Sequence, residues 1–142
     1  MCSKDIYPSS IPLTAGCLEN NRDTFLDLDI VIDEGRFRTK IYHKVDDFDF
    51  EVVSFPFPTS NMSDFITYNS FYSQLVRFAS VSSKFCDFDC RTKKLMEILL
   101  NRGFSKYRLK KSLRKFILNY YDVLVVRYSM EDINRYIDSP FS

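Results

Sequence analysis

Two alternating runs that meet at a glycine constrain this chain more than any other feature of it. Phe25 to Asp33 (FLDLDIVID) sets apolar against acidic residues with period two, Arg36 to Lys44 (RFRTKIYHK) alternates in the same way, and only Glu34 and Gly35 lie between them. Period-two alternation marks a strand with one buried face. Glycine supplies the positive φ that a two-residue hairpin turn requires. With Glu34-Gly35 as the loop, Ile32 faces Phe37, Ile30 faces Thr39 and Leu28 faces Ile41 on one side, while Asp33 faces Arg36 and Asp29 faces Lys40 on the other. Slipping the pairing by one residue would turn the aspartates into the core, so the register is well specified. An isolated hairpin is marginal in water, and its apolar face must pack on something else.

The flanks of this hairpin read differently. Residues 1–23 hold Pro8, Ser9, Ser10, Pro12 and the polar run Glu19 to Asp23, and are expected to be irregular, in the manner of a chain cut in mid-structure. Residues 45–60 are acidic and aromatic. There Phe48, Phe50 and Val52 alternate with Asp47, Asp49 and Glu51, which reads as one more short strand, and Pro56 and Pro58 then end any sheet pairing. Residues 24–60 thus form a hairpin and connector.

From residue 61 onward the period becomes helical. Asn69 or Ser70 is expected to cap a helix running to Ser82 or Ser83, with Phe71, Leu75, Phe78 and Ala79 on one face. A second helix is expected from Asp89 as N-cap to Asn101, with Leu95, Ile98 and Leu99 as its apolar stripe. Gly103 suits its left-handed exit and Ser105 the next N-cap. The third, Lys106 to about Arg127, spaces Leu109, Leu113, Phe116, Ile117, Tyr120 and Leu124 along one side, and a short helix after Ser129 should end near Pro140. The expected fold is therefore α+β: an antiparallel hairpin followed by three or four helices, with a helix-turn-helix-like pair at about 89–121.

A chain of 142 residues with 45% hydrophobic content fits a single domain with a real core. Three glycines leave no room for a glycine-rich phosphate loop. Of the cysteines, Cys2, Cys17, Cys86 and Cys90, only the last two are close, and the lone histidine, His43, is remote from them in sequence, so free thiols are expected rather than a zinc site. No run of about 18 apolar residues is present, and the first ten residues, MCSKDIYPSS, lack the apolar core of a signal peptide, which places the expected location inside the cell, in nucleus or cytoplasm.

Charge divides the chain in two. Residues 1–64 carry six Lys/Arg against twelve Asp/Glu, whereas residues 65–142 carry fourteen against seven. The densest run is basic: Arg91, Lys93, Lys94, Arg102, Lys106, Arg108, Lys110, Lys111, Arg114 and Lys115 stand against the single acid Glu97. Amphipathic helices are often solvated by lysine and arginine, but ten bases to one acid exceed that need, and like-charged neighbours on a helix cost stability. A basic helical pair is the usual footprint of a phosphate-backbone contact. Asp27, Asp29 and Asp33 have the residue type of a two-metal site, yet their alternation opposite Arg and Lys describes the solvated face of a sheet with local ion pairs. Asp46-Asp47 lacks flanking residues that would hold a metal, and His43, opposite Leu26 in the hairpin register, is expected as a packed or edge histidine rather than a general base.

In order along the chain, Phe25-Leu-Asp-Leu-Asp-Ile30, a glycine turn, and Thr39-Lys-Ile-Tyr-His-Lys-Val-Asp-Asp47 resemble a block of Penelope-like retroelement reverse transcriptases. The stretches Phe48 to Pro56 and Tyr68 to Phe78 are similar to the next two blocks, and Leu99-Leu-Asn-Arg-Gly-Phe104 to a helix junction of that family. The resemblance covers residues 25–120. It implies the edge of a polymerase palm and a helical thumb, described in animal relatives as a helix-turn-helix domain, that grips template and primer by their backbones. The family's Tyr-x-Asp-Asp motif is not in this chain, and neither are the fingers, most of the palm or a GIY-YIG endonuclease; Phe55 stands where some family blocks carry histidine before the proline.

The resulting expectation is a nucleic-acid-binding piece of a retroelement reverse transcriptase without polymerase activity of its own. It needs no cofactor, small-molecule substrate or membrane, and its partners are RNA or an RNA–DNA hybrid, together with the missing palm and fingers. The ten basic residues supply the phosphate contacts, with the face of Arg108, Lys111 and Lys115 foremost. The alternatives are a protein-interaction module, which would use the apolar hairpin face, and a decayed retroelement remnant without selected function.

Overall fold

A computed structural model describes residues 21–47 and 55–138. The hairpin is present in the register read from the sequence. Strand β2 (Leu28–Asp33) pairs antiparallel with β3 (Arg36–Ile41), and Ile32 lies opposite Phe37, Ile30 opposite Thr39 and Asp29 opposite Lys40. Both turn residues, Glu34 and Gly35, have positive φ (49° and 75°), as a type I′ turn requires.

A third strand that was not expected joins the hairpin from its N-terminal side. Arg22–Phe25 forms β1, which pairs antiparallel with β2 so that the order is β1-β2-β3. The expected irregular segment therefore ends before Arg22, and the alternation from Phe25 to Asp33 is broken by a tight turn at Leu26 and Asp27. Leu26 takes φ 54°, a left-handed conformation that its sequence does not announce. The strand expected within 48–54, the irregular residues 1–20 and the end near Pro140 lie outside the described residues.

Among the described residues, five α-helices follow a short 3-10 turn at Lys44–Asp47: α1 (Asp64–Val81), α2 (Phe85–Asn101), α3 (Lys106–Asn119), α4 (Tyr121–Arg127) and α5 (Met130–Asp138). The chain is α+β, a sheet and then helices. Three helix boundaries differ from expectation. Helix α1 starts after Ser63, not at Asn69 or Ser70, and α2 starts after Lys84, one turn before Asp89. The long third helix is two helices, broken at Tyr120 (φ −111°, ψ 13°). Leu124 beyond the break is still buried, so the apolar spacing runs on across the interruption and hides it. At α5, Ser129 behaves as an N-cap: its Oγ accepts the Asp132 N–H at 3.2 Å and donates to the Asp132 carboxylate at 2.6 Å.

Helix α2 passes to α3 through a Schellman turn. The Phe104 N–H donates to the Leu99 carbonyl (3.1 Å) and the Gly103 N–H to the Leu100 carbonyl (2.9 Å), with Gly103 at φ 89° and both Phe104 and Leu99 buried.

The core lies among the helices. Phe71, Leu75, Phe78 and Ala79 of α1, Phe88, Leu95, Met96 and Leu99 of α2, and Leu109, Leu113, Phe116 and Ile117 of α3 are all buried. Helix α1 packs against both α2 and α3. Phe88 sits in an aromatic nest, with ring centroids 6.0 Å from Phe116, 6.1 Å from Tyr128 and 6.2 Å from Tyr136. Inside that nest the Tyr128 hydroxyl donates to the carbonyl oxygens of Ala79 and Ser82, and burial pushes its pKa up to about 12.

The sheet meets the helices chiefly through its β3 edge. The Thr39 N–H donates to Ser83 Oγ, the Ser83 N–H returns to the Thr39 carbonyl (both 2.9 Å), and Thr39 Oγ1 lies 2.6 Å from the Val81 carbonyl. The α1–α2 connector thus takes the place of a fourth strand. Only the inner end of the apolar sheet face is covered. Ile41 packs on the core, whereas Ile32 and Phe37 are exposed, Phe37 at 77%.

Candidate nucleic-acid interface

Ion pairing sorts the ten basic residues into groups. The acidic half of the chain supplies much of that pairing. Asp46, in the 3-10 turn, accepts both Arg91 (2.5 Å) and Lys94 (2.6 Å) from α2, and these contacts hold its carboxyl below the usual range although burial opposes them. Arg38 of β3 makes a forked contact with Asp87 at the start of α2, Lys84 pairs with Asp33 at 3.2 Å, and Arg77 of α1 pairs with Asp27. Asp27 and Asp33 are therefore not balanced within the hairpin, as the sequence implied, and Asp46, beyond the hairpin, finds its partners on α2. They clamp the sheet to the helices. Asp29 does have its local partners, Arg22 at 2.6 Å and Lys40 at 3.3 Å.

A polar cleft of about 300 Å³ lies between the sheet and α2, lined by Arg22, Asp29, Lys40, His43, Asp46 and Arg91 among others. Within it Arg22 and Lys40 share Asp29, and Arg91 and Lys94 share Asp46. His43 borders this cleft rather than facing Leu26, which is exposed in its turn. Burial, then the neighbouring Arg91, pushes the imidazole pKa down, so it is uncharged near neutrality. Among the described residues no three His, Cys, Asp or Glu side chains gather as a metal site, and Cys86 and Cys90 are exposed thiols.

Arg91 and Lys94 are thus committed to Asp46, and Lys93 pairs with Asp89 one helical turn away at 2.9 Å. Arg102 donates to the Phe55 carbonyl at 3.1 Å and lies over the Phe57 ring, and Arg108 lies over the Tyr68 ring, 5.6 Å from its centroid. Lys110 is half-buried. Four residues remain: Lys106, Lys111, Arg114 and Lys115 are exposed, and none has an acidic partner within 4 Å among the described residues.

These four share α3, whose sequence KYRLKKSLRKFILN holds six bases and no acid. Leu109, Leu113, Phe116 and Ile117 turn one side of α3 into the core, so Lys111, Arg114 and Lys115, at i+3 and i+4 spacings, point away from it. Each like-charged pair at that spacing costs a few tenths of a kcal/mol. Lys106 and Arg108 also stand in the first turn, where the helix macrodipole disfavours cations, and Ser105 makes no side-chain cap there. A bound anion relieves both penalties. Of the three residues foremost in the sequence, Lys111 and Lys115 keep that place, Arg108 is engaged by Tyr68, and Arg114 takes its position on the outward face.

No helix among the described residues is long and apolar enough to cross a membrane. No protein-family model, curated protein or solved structure matches the chain.

Proposed function

We propose that this chain binds nucleic acid through the phosphate backbone, with the outward face of α3 as the contact surface. The observation that carries the reading is the uncompensated charge of α3: a 14-residue helix without an acid, whose Lys111, Arg114 and Lys115 have no ionic partner among the described residues. Contacts of this kind position a duplex without reading its sequence. The resemblance to Penelope-like reverse transcriptases supplies the context: a palm-edge and thumb piece inside the cell, with RNA or an RNA–DNA hybrid as ligand and the polymerase chemistry residing elsewhere. Arg91 and Lys94 belong to the internal scaffold of this piece.

The test is binding of the full chain to a blunt RNA–DNA hybrid across a salt series. Log affinity should fall linearly with log salt, and Lys111→Ala, Arg114→Ala, Lys115→Ala together should reduce the slope by roughly 2–3, near 0.9 for each phosphate that is no longer neutralised. Undetectable binding at low salt, or a slope indifferent to the triple variant, would sink the proposal.

A second reading rests on the sheet. Phe25, Leu26, Ile32 and Phe37 are exposed across its three strands and the β1–β2 turn, a surface suited to another protein. Recruitment of the chain into a complex that Phe37→Lys abolishes, with nucleic-acid binding untouched, would favour it.

A further inference from the structure

Tyr107 stands apart from the other described tyrosines. Tyr68, Tyr72, Tyr120 and Tyr121 pack against the core, Tyr128 and Tyr136 are inside it, and Tyr42 donates its hydroxyl to Asp47. Tyr107 does none of these things and is 74% exposed, in the first turn of α3. Two other rings are covered by arginine: Arg102 lies over Phe57 and Arg108 over Tyr68. The Tyr107 ring is left open on the same outward face as Lys111, one turn along at i+4, and Arg114, two turns along at i+7.

An open aromatic face beside unpaired cations at one-turn intervals matches the two halves of a nucleotide, a base for the ring and phosphates for the charges. A base inside a continuous duplex offers no free face, because its neighbours are stacked on it. We infer that Tyr107 is a stacking platform for an unpaired nucleotide, so that α3 prefers single-stranded nucleic acid, or a single-stranded overhang, to a blunt duplex. This inference rests on the phosphate-contact reading of α3 and adds to it the state of the bases. Stacking of one base on an aromatic side chain carries about a five- to hundred-fold affinity and tolerates any sequence.

The chain contains no tryptophan, so Tyr107→Trp places a single indole reporter at the site. With the full chain at low salt, oligo-uridylate should quench that indole more strongly than a blunt RNA–DNA hybrid of equal length. Tyr107→Ala should weaken oligo-uridylate binding about five- to a hundred-fold and leave hybrid binding within about twofold, while Tyr107→Phe retains both. Unchanged thermal melts will confirm that this exposed site is not altering the fold. If Tyr107→Ala binds both ligands like the parent while the Lys111, Arg114, Lys115 triple variant loses both, stacking is wrong and the phosphate contact stands. If the parent binds neither ligand, both fall together.

Discussion

Asp29 carries a charge where carboxylates are seldom found, 1% exposed on the polar side of β2. Burial alone would raise its pKa. Hydrogen bonds from Arg22 and Lys40, with their charges, outweigh burial and hold the carboxyl below its ordinary range. The Arg22 contact is two-pronged, at 2.7 and 2.6 Å, but Arg22 itself is half in water, which limits what the pair contributes. Replacing Asp29 by Asn should cost about 1–3 kcal/mol at neutral pH, measured by urea unfolding. The sign with pH follows from the depressed pKa. The contribution is complete above the unfolded-state value, about 3.9, and fades as pH falls through the lower folded-state value. The stability gap between parent and Asp29→Asn should therefore narrow as pH drops below about 4; a gap that stays constant to about pH 2 would show that the charge is not responsible.

At the scale of elements, the α2–α3 junction depends on one backbone conformation. Gly103 sits at φ 89°, with open space where a side chain would go, so a replacement suffers from its backbone and not from a clash. Gly103→Ala should lose about 1–2 kcal/mol, and Gly103→Asn less, because asparagine enters the left-handed region more readily. Equal losses for the two in chemical denaturation would contradict this. That junction was legible in the sequence because glycine announces it, as was the β2–β3 turn at Glu34-Gly35. The helix faces were legible too, since apolar spacing records which side is buried. Three features were not. The β1–β2 turn uses Leu26 and Asp27, without glycine or proline, and hides inside a continuous alternation. The break at Tyr120 leaves the apolar period intact. The early starts of α1 and α2 lack side-chain cap hydrogen bonds, Ser63 included, and lie ahead of the apolar stripes from which the helices were read.

For the molecule as a whole, part of the opposite charge of the two halves is spent on joining them. Arg38–Asp87, Arg77–Asp27, Lys84–Asp33 and the double contact of Arg91 and Lys94 to Asp46 join sheet to helices. What the sequence showed as one basic run is, in three dimensions, a docking surface on α2 and an outward surface on α3. The difference depends on partners remote in the sequence, which no local pattern reveals. Asp46→Asn should release Arg91 and Lys94 from their shared partner. If nucleic acid reaches α2, the salt dependence of binding should then steepen by up to about 2 charges, near 0.9 in slope for each. An unchanged slope, read by fluorescence anisotropy across a salt series, would confine the interface to α3.

The two borders of the sheet are unlike. Along β3 the backbone is occupied by Ser83, whereas β1 is exposed along its whole length, with one of its donors, the Thr24 N–H, turned onto the Asp23 carboxylate at 2.8 Å. Among the described residues, β1 is thus the barer of the two borders. A strand from a neighbouring molecule that pairs beside β1 has to displace that carboxylate from the Thr24 N–H, and leaves the helices and the exposed cations of α3 where they are.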